Sequence, residues 1–307
     1  MRNKCIVCIC ILFGSLKGES LIMNLQKTAV IADTGCDIPM DVAGENDIRM
    51  IPLHVLYPEG EYLDDINIDP LMVYRRFPDV IPKTSMPTIP ELVDVYNGLK
   101  KEGYKRVIAV AISSHFSGTY NVMSVAAKQI SDMEIFVFDT KNISSGAGVF
   151  AYYAAKKLQE GMSFEDVTAN MQRKIYDSHL MFYMDTLTYL KAGGRIGSLS
   201  YLVGNMLQIK PIIACNHEGV YYSVAKCRGH KAVKARLIDE ITAVSREHHV
   251  WIAVMNGNAP QEAEDFVKIL DGLIPDKELI FTKQIAATMA INTGPGLIGV
   301  LSFDPES

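Results

Sequence analysis

One strand-to-turn-to-helix junction, VIAVAISSHFSGTYN at residues 107–121, constrains this chain more than any other stretch. The β-branched run Val107, Ile108, Val110 and Ile112 reads as a buried strand, and Met123, Val125, Ala126 and Ala127 continue as a helix. Between them lie Ser113, Ser114, Ser117, Gly118 and Thr119. A strand that ends in small hydroxyl residues at a helix start gathers hydroxyls and free backbone N–H groups around one point, which suits a small anion. No Lys or Arg lies inside the turn, so a weakly charged group such as a carboxylate fits better than a triphosphate. Ordinary helix capping by Ser or Thr accounts for the same residues equally well.

The remaining pattern sets this junction in an α/β framework. Residues 28–33 (TAVIAD) form a strand with Asp33 at its carboxyl end, where open α/β sheets place ligands, and Gly35, Asp37 and Pro39 make a turn. Residues 49–57 read as a second strand. Asp69-Pro70 reads as an N-cap and first helical position. Thr88 with Glu91 forms a capping box for a helix over 90–102. Thr84 and Ser85 precede that cap and are not needed for it, so their hydroxyls serve either a ligand or a plain turn. A strand at 134–139, a helix at 144–160 and a helix capped by Ser163 and Asp166 complete a layered α/β unit.

After a strand-like 182–184 and a helical turn at 185–191 comes Ala192-Gly193-Gly194-Arg195-Ile196-Gly197-Ser198. Its glycines permit close backbone approach and Arg195 supplies a cation; a helix C-cap followed by a surface arginine is the plainer account. An apolar helix is expected over 199–207, and a hairpin over 209–215 and 220–226 about His217-Glu218-Gly219. A helix over 230–246 and a β-α-β unit (250–255, 260–273, 278–285) follow. Gly294-Pro295-Gly296 and Gly299 formally match G-x-G-x-x-G, but eight residues remain after Gly299, too few for the helix and strand of a dinucleotide site. The proline points to a rigid turn. We divide the chain into an N-terminal domain (26–175) and a C-terminal domain (176–304), with no Pro- or Gly-rich linker to sharpen the boundary.

Of the 307 residues 49% are hydrophobic and 21% charged, as in ordinary globular chains. A net charge of −5 and the absence of a basic run with interleaved aromatics argue against nucleic-acid binding. Six scattered cysteines describe a reduced, cytoplasmic chain without a disulfide scaffold. Residues 1–25 stand apart: Arg2 and Lys4 precede an apolar run over 5–13, too short to span a bilayer. A start codon assigned upstream of Met23 is the preferred account and an export signal the other. Redox or metal chemistry at Cys5, Cys8 and Cys10 is not expected inside such a leader.

No Walker A, H-E-x-x-H, G-x-S-x-G or clustered Cys/His spacing is present, so neither a metal nor a cofactor is expected. The acid pairs Asp33 with Asp37 and Asp64 with Asp65 have a turn-and-cap explanation. The chain reads as a holder of a ligand more than a transformer of one.

The turns, taken together, resemble the DegV family of bacterial fatty-acid-binding proteins. The likeness runs through Asp33-Thr34-Gly35-Cys36-Asp37, Ile51-Pro52-Leu53, Thr84-Ser85-Met86-Pro87, Ser113-Ser114 with Ser117-Gly118-Thr119-Tyr120, Leu190 to Ile196, Lys210-Pro211, Arg228-Gly229 and Gly294-Pro295-Gly296. It implies two α/β domains with a lipid-binding tunnel between them and a long-chain fatty acid inside. The carboxylate would be held at Thr84 and Ser117, in a site with Ser85, Ser114, Gly118, Arg195 and Asn292. Some members resemble the binding subunit of a fatty acid kinase, which presents the carboxyl group to a separate ATP-dependent kinase for phospholipid synthesis; Arg228 would lie on the face that meets it. Transient contact with a membrane surface is compatible with such a ligand.

The sequence departs from the family pattern at two places. Thr34-Gly35 replaces the usual Ser-Thr pair, and Asn292 stands where a histidine commonly precedes the G-P-G turn. Asparagine can donate a hydrogen bond but cannot carry a positive charge or pass a proton. Fatty-acid binding tolerates that change better than phosphoryl transfer does. Burying an acyl tail contributes about 0.8 kcal/mol per CH₂, so a few neutral hydroxyl contacts suffice at the head. Two other readings stand beside this one: a hydrolase or small transferase using Ser117 with Asp33, His115 or Arg195, and a scaffold that docks a kinase through the basic residues of 226–234.

Overall fold

The computed structural model describes residues 27–205, 209–246 and 248–306, so the leader reading for 1–25 lies outside the described residues. The first part of the chain runs β1 (Thr28–Asp33), α1 (Met40–Glu45), β2 (Ile48–Ile51), β3 (His54–Tyr57), β4 (Gly60–Leu63), α2 (Pro70–Arg76), β5 (Lys83–Ser85) and α3 (Ile89–Lys101). It continues with β6 (Arg106–Ala111), α4 (Thr119–Ala127), β7 (Glu134–Asp139), α5 (Ser144–Gln159) and α6 (Phe164–Arg173). Then come β8 (Ser178–Tyr183), α7 (Thr188–Ala192), β9 (Lys210–Cys215), β10 (Tyr221–Cys227) and α8 (His230–Val244). The last elements are β11 (Val250–Gly257), α9 (Pro260–Leu273), β12 (Lys277–Gln284), α10 (Ala287–Thr293) and β13 (Leu297–Phe303).

The strands form a parallel four-stranded sheet (β2-β1-β6-β7), a small antiparallel sheet (β4-β3-β5) and a mixed six-stranded sheet (β10-β9-β8-β13-β11-β12) in which β11 and β12 run parallel. Helix α5 lies between the two large sheets, against β1 and β6 on one side and β8 and β13 on the other. Fourteen of its 16 residues are buried, so it needs apolar and small residues all round. Gly148 lets it press onto the Cys36 carbonyl, where a Cβ would collide. The period-2 alternation of the strands sorts the outer faces. Ile31, Val107 and Ala109 pack with α3 and α4, while Ile252, Val254 and Val300 pack with α8 and α9. Layers therefore run helix, sheet, helix, sheet, helix.

Several expectations change. Residues 49–57 are two strands: β2 pairs with β1, while β3 leaves for the small sheet. Pro52 between them has no N–H to continue the ladder, and Leu53 N–H donates instead to Thr34 Oγ1 (3.0 Å). Thr84 and Ser85 lie on β5, paired with Val55 and His54, rather than in a free turn. The segment expected as an apolar helix at 199–207 is a 3₁₀ helix over Gly197–Asn205, and 206–207 lie outside the described residues. The Gly294-Pro295-Gly296 turn joins α10 to β13, the strand between β8 and β11, and neither element carried a sequence expectation. No helix among the described residues is long and apolar enough to cross a membrane.

Candidate functional site

The Ser113–Thr119 turn sits at the carboxyl end of β6, held by acids at the ends of the neighbouring parallel strands. Asp33, at the end of β1, accepts Gly35 N–H (2.9 Å) and Ile112 N–H (3.0 Å). Asp139, at the end of β7, accepts Ser114 N–H (3.1 Å) and pairs with Lys141 (2.7 Å). Burial pushes the Asp139 carboxyl up, yet Lys141 and Ser114 outweigh it and hold the group below its usual range. Ser113 Oγ donates to Gly219 O (3.0 Å), which fastens the turn to the β9–β10 hairpin. The parallel sheet thus delivers the turn and its acids fix the backbone, which is the dull role expected of Asp33.

A cavity of about 360 Å³ opens in front of this turn. Thr84, Ser85, Ser114, Ser117, Gly118, Arg195 and Asn292 all line it, so the seven ligand-binding candidates drawn from separate stretches meet at one place. The edge strand β5 supplies Thr84, whose hydroxyl has no protein partner among the described residues. Ser117 Oγ accepts Thr119 N–H (3.2 Å) and forms a hydroxyl–hydroxyl hydrogen bond with Thr119 Oγ1 (2.7 Å). The N-cap of α4 is Gly118, without a side-chain cap, so Ser117 joins a short turn bond to the first helical N–H with cavity lining rather than capping the helix as expected. Gly118 lets Met86 close over the cavity edge: a Cβ there would meet Met86 Sδ at 2.5 Å.

The cation enters from the other side. Arg195 follows α7, and its Nη1 donates to Gly193 O (2.6 Å). Among the described residues no carboxylate pairs with this guanidinium, although it lines the cavity. Asn292 Nδ2 donates to Thr288 O (2.9 Å), while Oδ1 is buried without a partner among the described residues, facing Gly193. Asn292 thus turns its acceptor toward α7 and spends a donor hydrogen within α10.

Residues that sequence reasoning did not single out complete the walls. Phe116 stacks on Tyr221 (4.1 Å between ring centres) along one side. Thr288, Met289 and Thr293 enter from α10, which was not foreseen. Thr288 donates through its N–H (3.3 Å) and its hydroxyl to Asp64, which also accepts Thr34 Oγ1 (3.1 Å). Asp37 accepts Ala286 N–H (2.7 Å) and Ser144 Oγ (2.6 Å). These buried carboxylates join the first part of the chain to the start of α10. Burial pushes Asp33 and Asp37 up to about 7 and Asp64 up to about 6.

A narrow apolar slot of about 20 Å³ lies behind the cavity and shares Ile143, Met289 and Thr293 with it. Arg228 is elsewhere, exposed at the β10–α8 junction. Within the basic stretch around it, Lys226 lies over the Tyr201 ring (4.8 Å), His230 pairs with Glu262 (2.7 Å) and Lys234 with Asp265 (3.6 Å). The groups a serine hydrolase would need are not joined. Ser117 bonds Thr119, Asp33 bonds backbone N–H groups, and the His115 ring meets Phe116 edge-on. Among the described residues no group of three or more His, Cys, Asp or Glu could hold a metal ion.

This α/β architecture sets a hydroxyl-lined cavity at the carboxyl end of the parallel sheet. The family model for DegV, described as "Uncharacterised protein, DegV family", matches residues 27–304. A DegV domain-containing protein of Clostridium acetobutylicum is 34% identical over 279 residues, covering 91% of this chain and 99% of its own. The chain belongs to the DegV family. Among solved structures it is similar to DegV, a fatty acid binding protein from Bacillus subtilis (28% identity, TM-score 0.81, 92% of this chain and 99% of that one). It is also similar to a fatty-acid-binding DegV family protein from Thermus thermophilus (26% identity, TM-score 0.82, 90% and 99%).

Proposed function

We propose that this protein binds a long-chain fatty acid, with its carboxylate at the hydroxyls of the cavity and its acyl tail running from there toward the apolar slot behind, which must widen to take it. The observation that carries this reading is the pairing of the two spaces. The front space has Thr84, Ser114, Ser117 and an Arg195 without a carboxylate partner, and the rear slot is apolar. A ligand that satisfies both has one weak anion and a long hydrocarbon. Charge-assisted bonds from Arg195 and neutral ones from the hydroxyls suit a carboxylate, while a phosphorylated sugar would need more cations. The fatty-acid-binding proteins of Bacillus subtilis and Thermus thermophilus, similar over nearly their whole length, support the same ligand class.

The protein acts as a carrier that presents the carboxyl group to a separate ATP-dependent fatty acid kinase, with Arg228 on the docking face. Exposure of Arg228, with no acidic partner among the described residues, supports that role. Solvent extraction of the purified protein followed by mass spectrometry tests the ligand: a long-chain acid at near-stoichiometric amount is expected, and polar ligands alone would sink the reading. Pull-down of the kinase with Arg228→Glu against the parent tests the partner; equal capture would remove Arg228 from the docking face.

A further inference from the structure

Strand β13 crosses the middle of the six-stranded sheet, and its residues alternate between the two faces. Ile298 and Val300 pack outward with α8 and α9, while Leu297, Leu301 and Phe303 face the central core with α5. Gly299 belongs to that inward row by the same alternation, and it is the one position in the row without a side chain. Its cross-strand partners are Phe182 on β8 and Met255 on β11, both in the central core. Gly299, Phe182, Met255, Leu180 and Leu297 all line the narrow slot behind the cavity.

Neither backbone nor crowding demands glycine here. Gly299 is not among the positive-φ residues. A Cβ built on it would meet Phe182 Cβ at 3.4 Å, Met255 Cβ at 3.6 Å and a Leu180 methyl at 3.7 Å, close to ordinary van der Waals contact. The three nearest atoms it would meet all belong to the neighbouring strands β8 and β11. The missing side chain therefore leaves a notch in the sheet face, and that notch opens into the slot.

The slot is also dry in character. Its two hydroxyl residues are spent elsewhere: Ser144 Oγ donates to Asp37 (2.6 Å) and Thr293 Oγ1 to Met289 O (3.0 Å). At about 20 Å³ the slot has room for roughly one water-sized group. Met255 and Met289, unbranched and soft, are the side chains that yield most readily to an entering chain. In so tight a space a single methyl group matters.

We infer that Gly299 is a specificity-determining residue, its notch receiving the methyl end of the acyl chain and setting the longest chain the protein accepts. The inference rests on the fatty-acid reading above and assigns it a depth gauge. Filling the notch shortens the accepted chain, and widening the slot beside it lengthens the chain. Each methylene kept out of apolar surroundings forfeits about 0.8 kcal/mol, or about fourfold in affinity.

The test loads delipidated protein with an equimolar ladder of saturated acids from lauric to arachidic and quantifies the bound acids by mass spectrometry. Gly299→Ala is expected to move the bound distribution about two carbons shorter, and Leu180→Ala, which clears space next to the notch, to move it longer. Circular dichroism of each variant secures that it is folded, and Gly299→Ala is sterically mild enough to stand alone if Leu180→Ala is not. A parent that loads acids while both folded variants keep its chain profile overturns the role of Gly299. A parent that loads no acid at all overturns the fatty-acid reading beneath it.

Discussion

Asn292 Oδ1 on α10 faces Gly193 at the end of α7 so closely that a Cβ on Gly193 would collide with it. The orientation is fixed, because the amide nitrogen donates to Thr288 O (2.9 Å) and a flip would set oxygen against oxygen. The carbonyl of the same Gly193 holds Arg195 Nη1 (2.6 Å). Placement of the cavity's cation is thus tied, through one glycine, to the packing of α7 on α10. Gly193 has an ordinary helical φ, so its requirement is close approach and not backbone conformation.

Gly193→Ala should therefore cost about 1–3 kcal/mol and also weaken ligand retention by displacing Arg195. Removing the obstructing oxygen with Asn292→Ala in the same chain should recover most of the loss. Urea unfolding of the two single variants and the double variant measures the coupling. If Gly193→Ala costs the same with and without Asn292, the contact is not the cause.

Thr84 and Ser117 separate head-group binding from folding. Thr84 lies on an edge strand with its hydroxyl uncommitted, so Thr84→Ala should leave stability within about 0.5 kcal/mol of the parent. Losing its hydrogen bond should lower fatty-acid retention by about three- to tenfold. Ser117 also accepts Thr119 N–H at the start of α4, so Ser117→Ala should lose retention and about 1 kcal/mol of stability together. Thermal unfolding beside a ligand-retention assay distinguishes the two patterns, and unchanged retention in the double variant would put the head group elsewhere.

The elements that delivered these hydroxyls were legible because their local signals are strong. Strand β1 has the bounds its apolar run suggested, the Thr88–Glu91 capping box forms as written, and α9 spans the residues expected. The helix and strand within 287–303 were not legible, although the Gly294-Pro295-Gly296 turn between them was. Helix α10 starts after Ala286, an N-cap with no side-chain bond, and β13 is buried on both faces, so neither a capping motif nor an alternating pattern marks them. Their loss hid Thr288, Met289, Thr293 and Gly299, a whole wall of the site. Helix α5 was visible as a helix, but its place between two sheets depends on all-round burial that periodicity does not report. The family resemblance brought Thr84, Ser117, Arg195 and Asn292 to one site, since no local pattern links four distant stretches.

Arg195 is the one cation of the cavity wall without a carboxylate partner among the described residues, so its removal should act on ligand charge more than on the fold. Arg195→Gln keeps a donor for Gly193 O and removes the positive charge. Charge-assisted bonds exceed neutral ones by about 1 kcal/mol, so fatty-acid affinity should fall about five- to tenfold. Affinity for the methyl ester of the same acid should change far less. Equal losses for acid and ester, by competitive displacement of a fluorescent acid, would show that Arg195 does not sense the charge.

The buried acids give the protein a pH dependence of stated sign. Asp33 and Asp37 titrate near 7 and Asp64 near 6 in the folded chain, chiefly through burial, against an ordinary value of 3.8. Between these limits the folded state binds more protons than the unfolded one, so stability falls as pH rises from about 4 to about 7. Thermal unfolding should accordingly occur several degrees higher near pH 5 than near pH 8. Asp37 offers the cleanest dissection. Asp37→Asn tolerates the left-handed backbone (φ 52°), keeps an acceptor for Ala286 N–H and cannot ionise, so it should flatten part of the pH profile. Asp37→Ala leaves Ala286 N–H unpaired where α10 meets the first part of the chain, and should cost about 2–3 kcal/mol near pH 5 and less near pH 8, where the parent has lost what its neutral carboxyl contributes. A parent whose unfolding temperature rises from pH 5 to pH 8 would mean that these carboxyls are stabilised in their charged form, with Lys283, 3.9 Å from Asp37, the group that outweighs their burial.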